Sequence, residues 1–402
     1  MSARVPSSPA RAVGGSLLTP AVKLLAIVAA IGGLAIAYRF AAGLGASTAL
    51  SNGYPWGIWI AFDVVTGTAL ACGGYAVAIL VYIVNRGQYH PMIRPAILTS
   101  ALGYSMAGLS ICFDVGRPWL LYRVPLWFRH WNLHSVLFEV AMCVMAYVTV
   151  CWIELSPAFL ERFEEGGKYV PGLLQRLSKA ILPPLRKAMP AVVALGLLLP
   201  TMHQSSLGSL MLLTGRKLHP IWSTPLLPLL FLVSCIGMGF AAVVFESTLS
   251  SRAFGRPAES RMLAGLARTM IPILLIFAIL RTADLAWRGR LGLVFRPGRH
   301  ALLFWLEMIL FLAPIFMLRR ESARNDPGNL FRAAMIMMTA GGLYRFDTFL
   351  LAFDPGVQYA YFPSVVEMLT TVGIVALEIL LYIVIVKLFP ILSGGPRLAA
   401  EP

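Results

Sequence analysis

The feature that most constrains this chain is a succession of apolar runs, each about 20 residues or longer, separated by breaks rich in proline, glycine and arginine. A helix of about 20 residues crosses the roughly 30 Å hydrocarbon layer of a bilayer. The runs fall at 21–43, 56–84, 95–114, 133–155, 190–213, 225–248, 259–285, 300–318, 329–352 and 363–389, and predict about ten transmembrane helices. With 58% of the 402 residues hydrophobic and 13% charged, a soluble core of this length cannot hide so much apolar surface. The expected fold is all-α and polytopic, with one membrane domain over residues 21–392 and tails at 1–20 and 393–402. The first run is too long for a signal-peptide core and has no clear cleavage site, so it reads as an uncleaved span.

The net charge of +15 does not point to nucleic acid, because Lys and Arg gather at the ends of apolar runs and form no stripe with interleaved aromatics. Membrane topology accounts for them. Counting loops alternately, the side holding the N-terminus, the 86–94 and 156–188 loops and the C-terminus collects roughly twice the basic residues of the other side. Both termini are therefore expected on the cytoplasmic side of the inner membrane. The opposite loops at 44–55 and 353–362 hold no Lys or Arg, while 115–132 carries Trp119, Tyr122, Trp127, Phe128 and Trp131. That segment reads as an interfacial aromatic belt, and a docking platform for a partner stays open beside it.

Several chemistries are missing. The five cysteines all fall in apolar runs without a CxxC, so no iron–sulfur cluster or other metal site is expected. Membrane haems need histidine pairs at matching depths, and only His134 and His203 lie clearly within the runs, with His90, His130, His219 and His300 in loops or at run ends. A di-haem arrangement lacks ligands, a single His134/His203 haem stays open, and the expectation is a chain without haem. No phosphate-binding glycine loop or nucleophile elbow is present.

Ionisable side chains cost about 2.5–3.5 kcal/mol each at a helix centre, and those retained there commonly mark proton or substrate paths. Asp63, Glu139, His203, Glu246, Glu307, Arg345, Asp347, Glu367 and Glu378 all lie inside runs. Each is open to a plainer reading as half of a helix-holding pair. Arg345 and Asp347 are two apart, so neither faces the other along one helix. At about 1.5 Å per residue, Asp63 and Glu139 come out about 10 Å below the outer surface, His203 in the outer half and Glu246 near the inner end. These four form a candidate ladder for protons.

The most distinctive stretch is SNGYPWGIWIAFDV from Ser51 to Val64, followed by FDVGRP from Phe113 and HSVLFE from His134. Together they resemble the NrfD, or polysulfide-reductase membrane-subunit, family, whose usual DLGRP stands here as DVGRP. The later runs LPTMHQSSLGSL from Leu199, STPLLPLLFL from Ser223 and YFPSVVEMLTTVGIVALEILLYIVIVKLFPIL from Tyr361 are similar to the hydrogenase-2 branch. The resemblance covers residues 21–392. It implies two four-helix bundles plus additional helices, and a subunit that takes electrons from a periplasmic iron–sulfur partner, itself fed by hydrogenase subunits. It also implies a quinone, menaquinone or ubiquinone, bound near the outer face.

On those motifs the quinone pocket is expected between the second, third and fourth spans. Asp63, Tyr104, His134 and Glu139 are its polar candidates, and Trp56 and Trp59 its walls. Proton transfer is assigned to Asp63, Glu139, His203 and Glu246, and a local ion pair of Asp114 with Arg117 is expected to shape the end of the third span. The implied activity is hydrogen:quinone oxidoreduction as one subunit of a complex, with little activity alone. The same fold on another respiratory oxidoreductase, acting on polysulfide, nitrite, dimethyl sulfoxide or tetrathionate, stays open. A proton-coupled transporter predicts two inverted halves, and no such repeat is evident.

Overall fold

The computed structural model describes residues 10–166, 170–257 and 259–393. Most of the expected N-terminal tail, including Arg4, and residues 394–402 of the C-terminal tail lie outside the described residues. Among the described residues the chain is helical, with isolated bridges and no strand. Among the described residues nine helices are long and apolar enough to cross a membrane. They are α1 (Pro20–Ala42), α2 (Trp59–Ile83), α3 (Ile93–Asp114), α4 (Val136–Glu164), α5 (Gly172–Leu212), α6 (Leu227–Ala253), α7 (Ser260–Trp287), α8 (Arg299–Leu318) and α10 (Val365–Leu388). Helix α9 (Pro327–Phe346), carried on by the π turn Asp347–Leu351, corresponds to the ninth of the ten expected spans. Arg332, Arg345 and Asp347 dilute its hydropathy, and it packs between α6 and α8.

Local chemistry fixes the helix starts. The Thr19 and Ser135 side chains accept from Val22 N and Phe138 N at the first turns of α1 and α4. Ser364 and Glu367 form a reciprocal capping box on α10. Proline-rich 156–188 is not the loop the sequence suggested. The α4 helix runs on to Glu164, and α5 continues through Pro183, Pro184, Pro190 and Pro200 for 41 residues. These prolines raise the cost of the helix, and its close antiparallel packing against α4, with the Arg186–Glu161 ion pair, offsets it.

Helices α2 to α5 pack as one four-helix bundle and α6 to α9 as a second, joined where α2 and α5 meet α6. The remaining pair, α1 and α10, lies against α3 and α2. That pair approaches closely enough that a Cβ added to Gly32 would stand 2.5 Å from Gly373 Cα. Such small-residue contacts let membrane helices meet backbone to backbone. Arg11 N donates to Leu392 O at 3.1 Å and Val13 N to Val386 O at 3.0 Å, so both described chain ends lie on one face. This is the termini face.

Candidate functional site

Helix α2 begins as a π-helix over Trp59–Thr66, a wide turn that recurs at functional sites. Its first residues are held by α10 and the preceding loop. Ile58 N donates to the Tyr361 hydroxyl at 2.7 Å, and that hydroxyl donates to Glu367 Oε1 at 2.8 Å. Ala49 N and Ser364 N both donate to Glu367 Oε2. Glu367 is thus fully engaged as a structural hub. Trp59 is buried with its Nε1 donating to the Glu367 carbonyl at 3.2 Å. The Trp56 Nε1 donates to the Phe349 carbonyl at 2.9 Å, and its ring lies against Phe349 and Phe353.

One turn into α2, buried Asp63 faces α10, where the Thr371 hydroxyl donates to its Oδ2 at 2.9 Å. Seven residues on from Thr371, about 10 Å toward the termini face, stands Glu378. A Cβ on Gly103 of α3 would lie 3.2 Å from Glu378 Oε1, so the absent side chain there makes room for the carboxyl. Glu378 is within electrostatic reach of Asp63 on one side and of Glu246 on the other. Glu246 in turn accepts from the Tyr382 hydroxyl and from Thr99 Oγ1, each at 2.6 Å. Beside it a narrow cleft bounded by Ser250, Arg256 and Glu259 reaches the termini face. Asp63 on α2, Glu378 on α10 and Glu246 on α6 therefore make a series of carboxyls descending where α10 and the two bundles meet.

A separate network crosses the seam between the bundles. Arg345 Nη2 donates to Gln204 Oε1 at 3.1 Å and to the Phe231 carbonyl, and its Nη1 donates to Ser234 Oγ. Gln204 Nε2 donates to Thr68 Oγ1 at 3.1 Å. The Tyr104 hydroxyl stands 3.5 Å from His203 Nδ1 and 3.5 Å from Cys72 Sγ. All of these side chains are buried, and His203 Nε2 has no hydrogen-bond partner.

The expected site residues therefore do not share one pocket. Asp63, Trp56 and Trp59 gather toward α10 and the α9 end. Tyr104 belongs with His203 in the seam network. His134 precedes α4 rather than lying in it, and is exposed, because the chain is still turning at Asn132–Ser135. Glu139 is half-buried in the first turn of α4, facing Cys143. The four-residue ladder is likewise divided, since Glu139 and His203 do not join the series that links Asp63 to Glu246. A cavity of about 440 Å³ opens instead between α2 and α9, walled by Phe62, Thr66, Met335, Met338, Leu343 and Phe346.

Asp114 and Arg117 form no ion pair. Arg39 of α1 takes the end of α3, donating to the Phe113 and Val115 carbonyls at 2.7 Å each, while Arg117 is exposed. A helix end needs donors for its last carbonyls, and a guanidinium on the neighbouring helix supplies two. Sequence reasoning had missed Arg39, and also Thr371, Glu378 and Tyr382 as partners of the predicted acids. A signal for the last three was present, because Glu367, Thr371, Glu378 and Tyr382 recur at helical spacing on one face of α10.

Residues 46–346 match the family described as polysulphide reductase, NrfD. The chain belongs to the NrfD family. Among its curated relatives, the "Probable Ni/Fe-hydrogenase 2 b-type cytochrome subunit" of Escherichia coli K12 is 43% identical over 385 residues, covering 94% of each chain. The "Menaquinone reductase, integral membrane subunit" of Nitratidesulfovibrio vulgaris is 31% identical, over 76% of this chain and 74% of that one. The "Hdr-like menaquinol oxidoreductase integral membrane subunit" of Archaeoglobus fulgidus is 23% identical over 94% of each. This NrfD protein is an integral membrane subunit of the oxidoreductase type.

One expectation is corrected by these relatives. The chain was expected to carry no haem, whereas the Escherichia coli relative is named a b-type cytochrome subunit, which points to haem. Among the described residues His203 Nε2 is the buried imidazole nitrogen without a partner. The rings of His219 and His300 stack on each other at 4.0 Å, and His90, His130 and His134 are exposed. No pair of histidines faces across a gap that would take a porphyrin, so the residues do not fit the usual bis-histidine arrangement.

Proposed function

We propose that this NrfD protein is the quinone-reactive membrane subunit of a respiratory hydrogenase complex, passing electrons from a periplasmic iron–sulfur partner to menaquinone or ubiquinone. Both chain termini are then cytoplasmic, and the face opposite them is periplasmic. The observation that carries the reading is the carboxyl series of buried Asp63 and half-buried Glu378 and Glu246, anchored by Thr371 near the far face and by Tyr382 and Thr99 near the termini face.

Reducing a quinone to a quinol takes two electrons and two protons. Electrons from a partner docked on the far face need only a short path to a quinone held at the outer turn of α2. Protons must reach the same place through hydrocarbon, and buried carboxyls with hydroxyl neighbours are groups that can accept and pass them. Asp63 is the proton donor at the ring in this reading, and Trp56 and Trp59 fix the turn that carries it. The apolar cavity between α2 and α9 is walled by Phe62, which precedes Asp63 in the chain, and by Thr66, and offers a wall for an isoprenoid tail. Tyr104, His203, His134 and Glu139 remain candidates of a second rank, the first two through the seam network. Proton uptake through Glu246 from the termini side would make the reaction energy-conserving.

The resemblance in later runs and the 43% identity to a hydrogenase-2 subunit favour hydrogenase as the partner. The test is purification of the chain from its native membrane. Co-purification of an iron–sulfur protein with hydrogen-dependent quinone reduction supports the reading. A complex that reduces quinone only with another donor moves the chain to another oxidoreductase, and a preparation with no quinone activity rejects the function.

A further inference from the structure

The second bundle holds a group of buried polar atoms that lack hydrogen-bond partners: Asp347 Oδ1 and Oδ2, Glu307 Oε1, Tyr344 Oη, and Arg281 Nε and Nη2. The four residues are 0% exposed. Native interiors leave few such atoms, and each calls for a physical account. Glu307 is held on one side by Trp222 Nε1, 3.0 Å from its Oε2, and on the other by Arg281 Nη2, 3.6 Å from its Oε1. The π turn at the end of α9 brings the Asp347 carboxyl within hydrogen-bonding range of the Glu307 carboxyl.

The charges do not balance. Arg345 is engaged with Gln204, Ser234 and Phe231, and Asp284 is taken by Arg288 and Thr224. Arg281 is thus the cation that faces two carboxylates, which leaves one negative charge in the hydrocarbon layer. An uncompensated buried charge is among the most costly features a fold can hold. Two ionised carboxyls are also acceptors only, which is why their facing oxygens have no partner. A single added proton removes the excess charge and supplies the missing O–H donor between them.

We propose that Glu307 and Asp347 hold one exchangeable proton between them, a second proton site separate from the Asp63–Glu378–Glu246 series, with the stacked His219–His300 pair as its outlet to the face opposite the termini. His300 precedes Glu307 by seven residues on α8, about 10 Å nearer that face. The His219 ring stacks on it at 4.0 Å, and Trp222, whose N–H holds Glu307, packs edge-on against both rings at 5.9 and 6.1 Å. Burial, then His300, Arg290 and Arg299, push the His219 imidazole down to about 4, so it passes a proton on rather than keeping it. The step is a proton transfer alone: one O–H bond at the carboxyl pair breaks, an N–H bond forms at an imidazole, and water receives the proton.

This site does not depend on the quinone reading, and its test uses no quinone. Infrared spectra of the purified complex, taken in H₂O and D₂O, report the C=O stretch of a protonated carboxylic acid. Asp347→Asn and Glu307→Gln are each expected to abolish the same deuterium-sensitive band, whereas Glu378→Gln leaves it in place. A band that survives Asp347→Asn overturns the shared proton. Glu307→Gln leaves Arg281 without its carboxylate and can fail to assemble; Asp347→Asn, which removes no ion pair, then decides alone. The double variant His219→Gln/His300→Gln is expected to slow deuterium exchange of the band at least tenfold, and an unchanged rate rejects the outlet.

Discussion

The Thr371 hydroxyl donates to the Asp63 carboxylate at 2.9 Å, and this one bond ties α10 to the outer turn of α2 in the interior of the protein. Thr371→Val keeps the shape of the side chain and removes the donor. Hydrogen bonds between membrane helices contribute roughly 0.6–1.7 kcal/mol, and those to charged groups in general about 1.5–3. The variant is therefore expected to lose about 1 to 2 kcal/mol in detergent unfolding and to slow quinone turnover, while Thr371→Ser retains both. Unchanged stability and turnover in the valine variant would mean that the bond carries no weight.

Glu378 and Glu246 stand in one series, so their variants should not act independently. Glu378→Gln and Glu246→Gln are each expected to lower quinone turnover about tenfold or more, and the double variant to be no worse than the slower single one. Steady-state quinone reduction by the assembled complex reads all three. Multiplicative effects would place the two carboxyls on separate routes.

The crossing of α1 on α10 at Gly32 and Gly373 leaves no room for a side chain. Gly373→Leu must push the helices apart and is expected to cost at least about 1–3 kcal/mol, read as a lower Tm of the complex. Gly33→Leu, on the open side of α1, is the control and should leave the Tm within error. Equal effects of the two would contradict the close crossing.

His219, in the loop before α6, sets one part of the pH dependence of stability. Its imidazole falls from 6.5 to about 4, through burial first and then neighbouring positive charge. In the unfolded chain it is protonated below about 6.5, whereas in the folded protein it stays neutral down to about 4. The unfolded state thus binds more protons in that window, and stability rises with pH across it. The wild type is expected to lose Tm as pH falls from about 6.5 toward about 4, and His219→Gln to show a shallower loss. Identical profiles would remove His219 from the account.

The spans were legible because hydrocarbon demands length and apolarity, and both are local properties of the chain. That there are two four-helix bundles came only from the family likeness, and which helices share each one is a matter of packing that no local property reveals. Breaks were harder to read. Pro183, Pro184 and Pro190 with the basic residues around them look like a loop, and only packing against α4 makes the segment helical. For the candidate site, Asp63 and Glu246 stood out as charges in apolar runs, yet what joins them could not be read locally. Their partners Thr371, Glu378 and Tyr382 are more than 100 residues away on α10. Asp347 was visible as a buried acid, but the π turn that carries it beside Glu307 has no sequence signature. His134 was misplaced by two residues, enough to move it from a span to an exposed turn.

The central claim is that Asp63 delivers protons to a quinone at the outer turn of α2. The measurement that tests it most directly is quinone reduction by the purified complex carrying Asp63→Asn, set against reduction of an artificial dye at the soluble partner. The account predicts loss of at least about a hundredfold in quinone turnover, with assembly and dye reduction unchanged. Quinone turnover at the wild-type rate in that variant would contradict it.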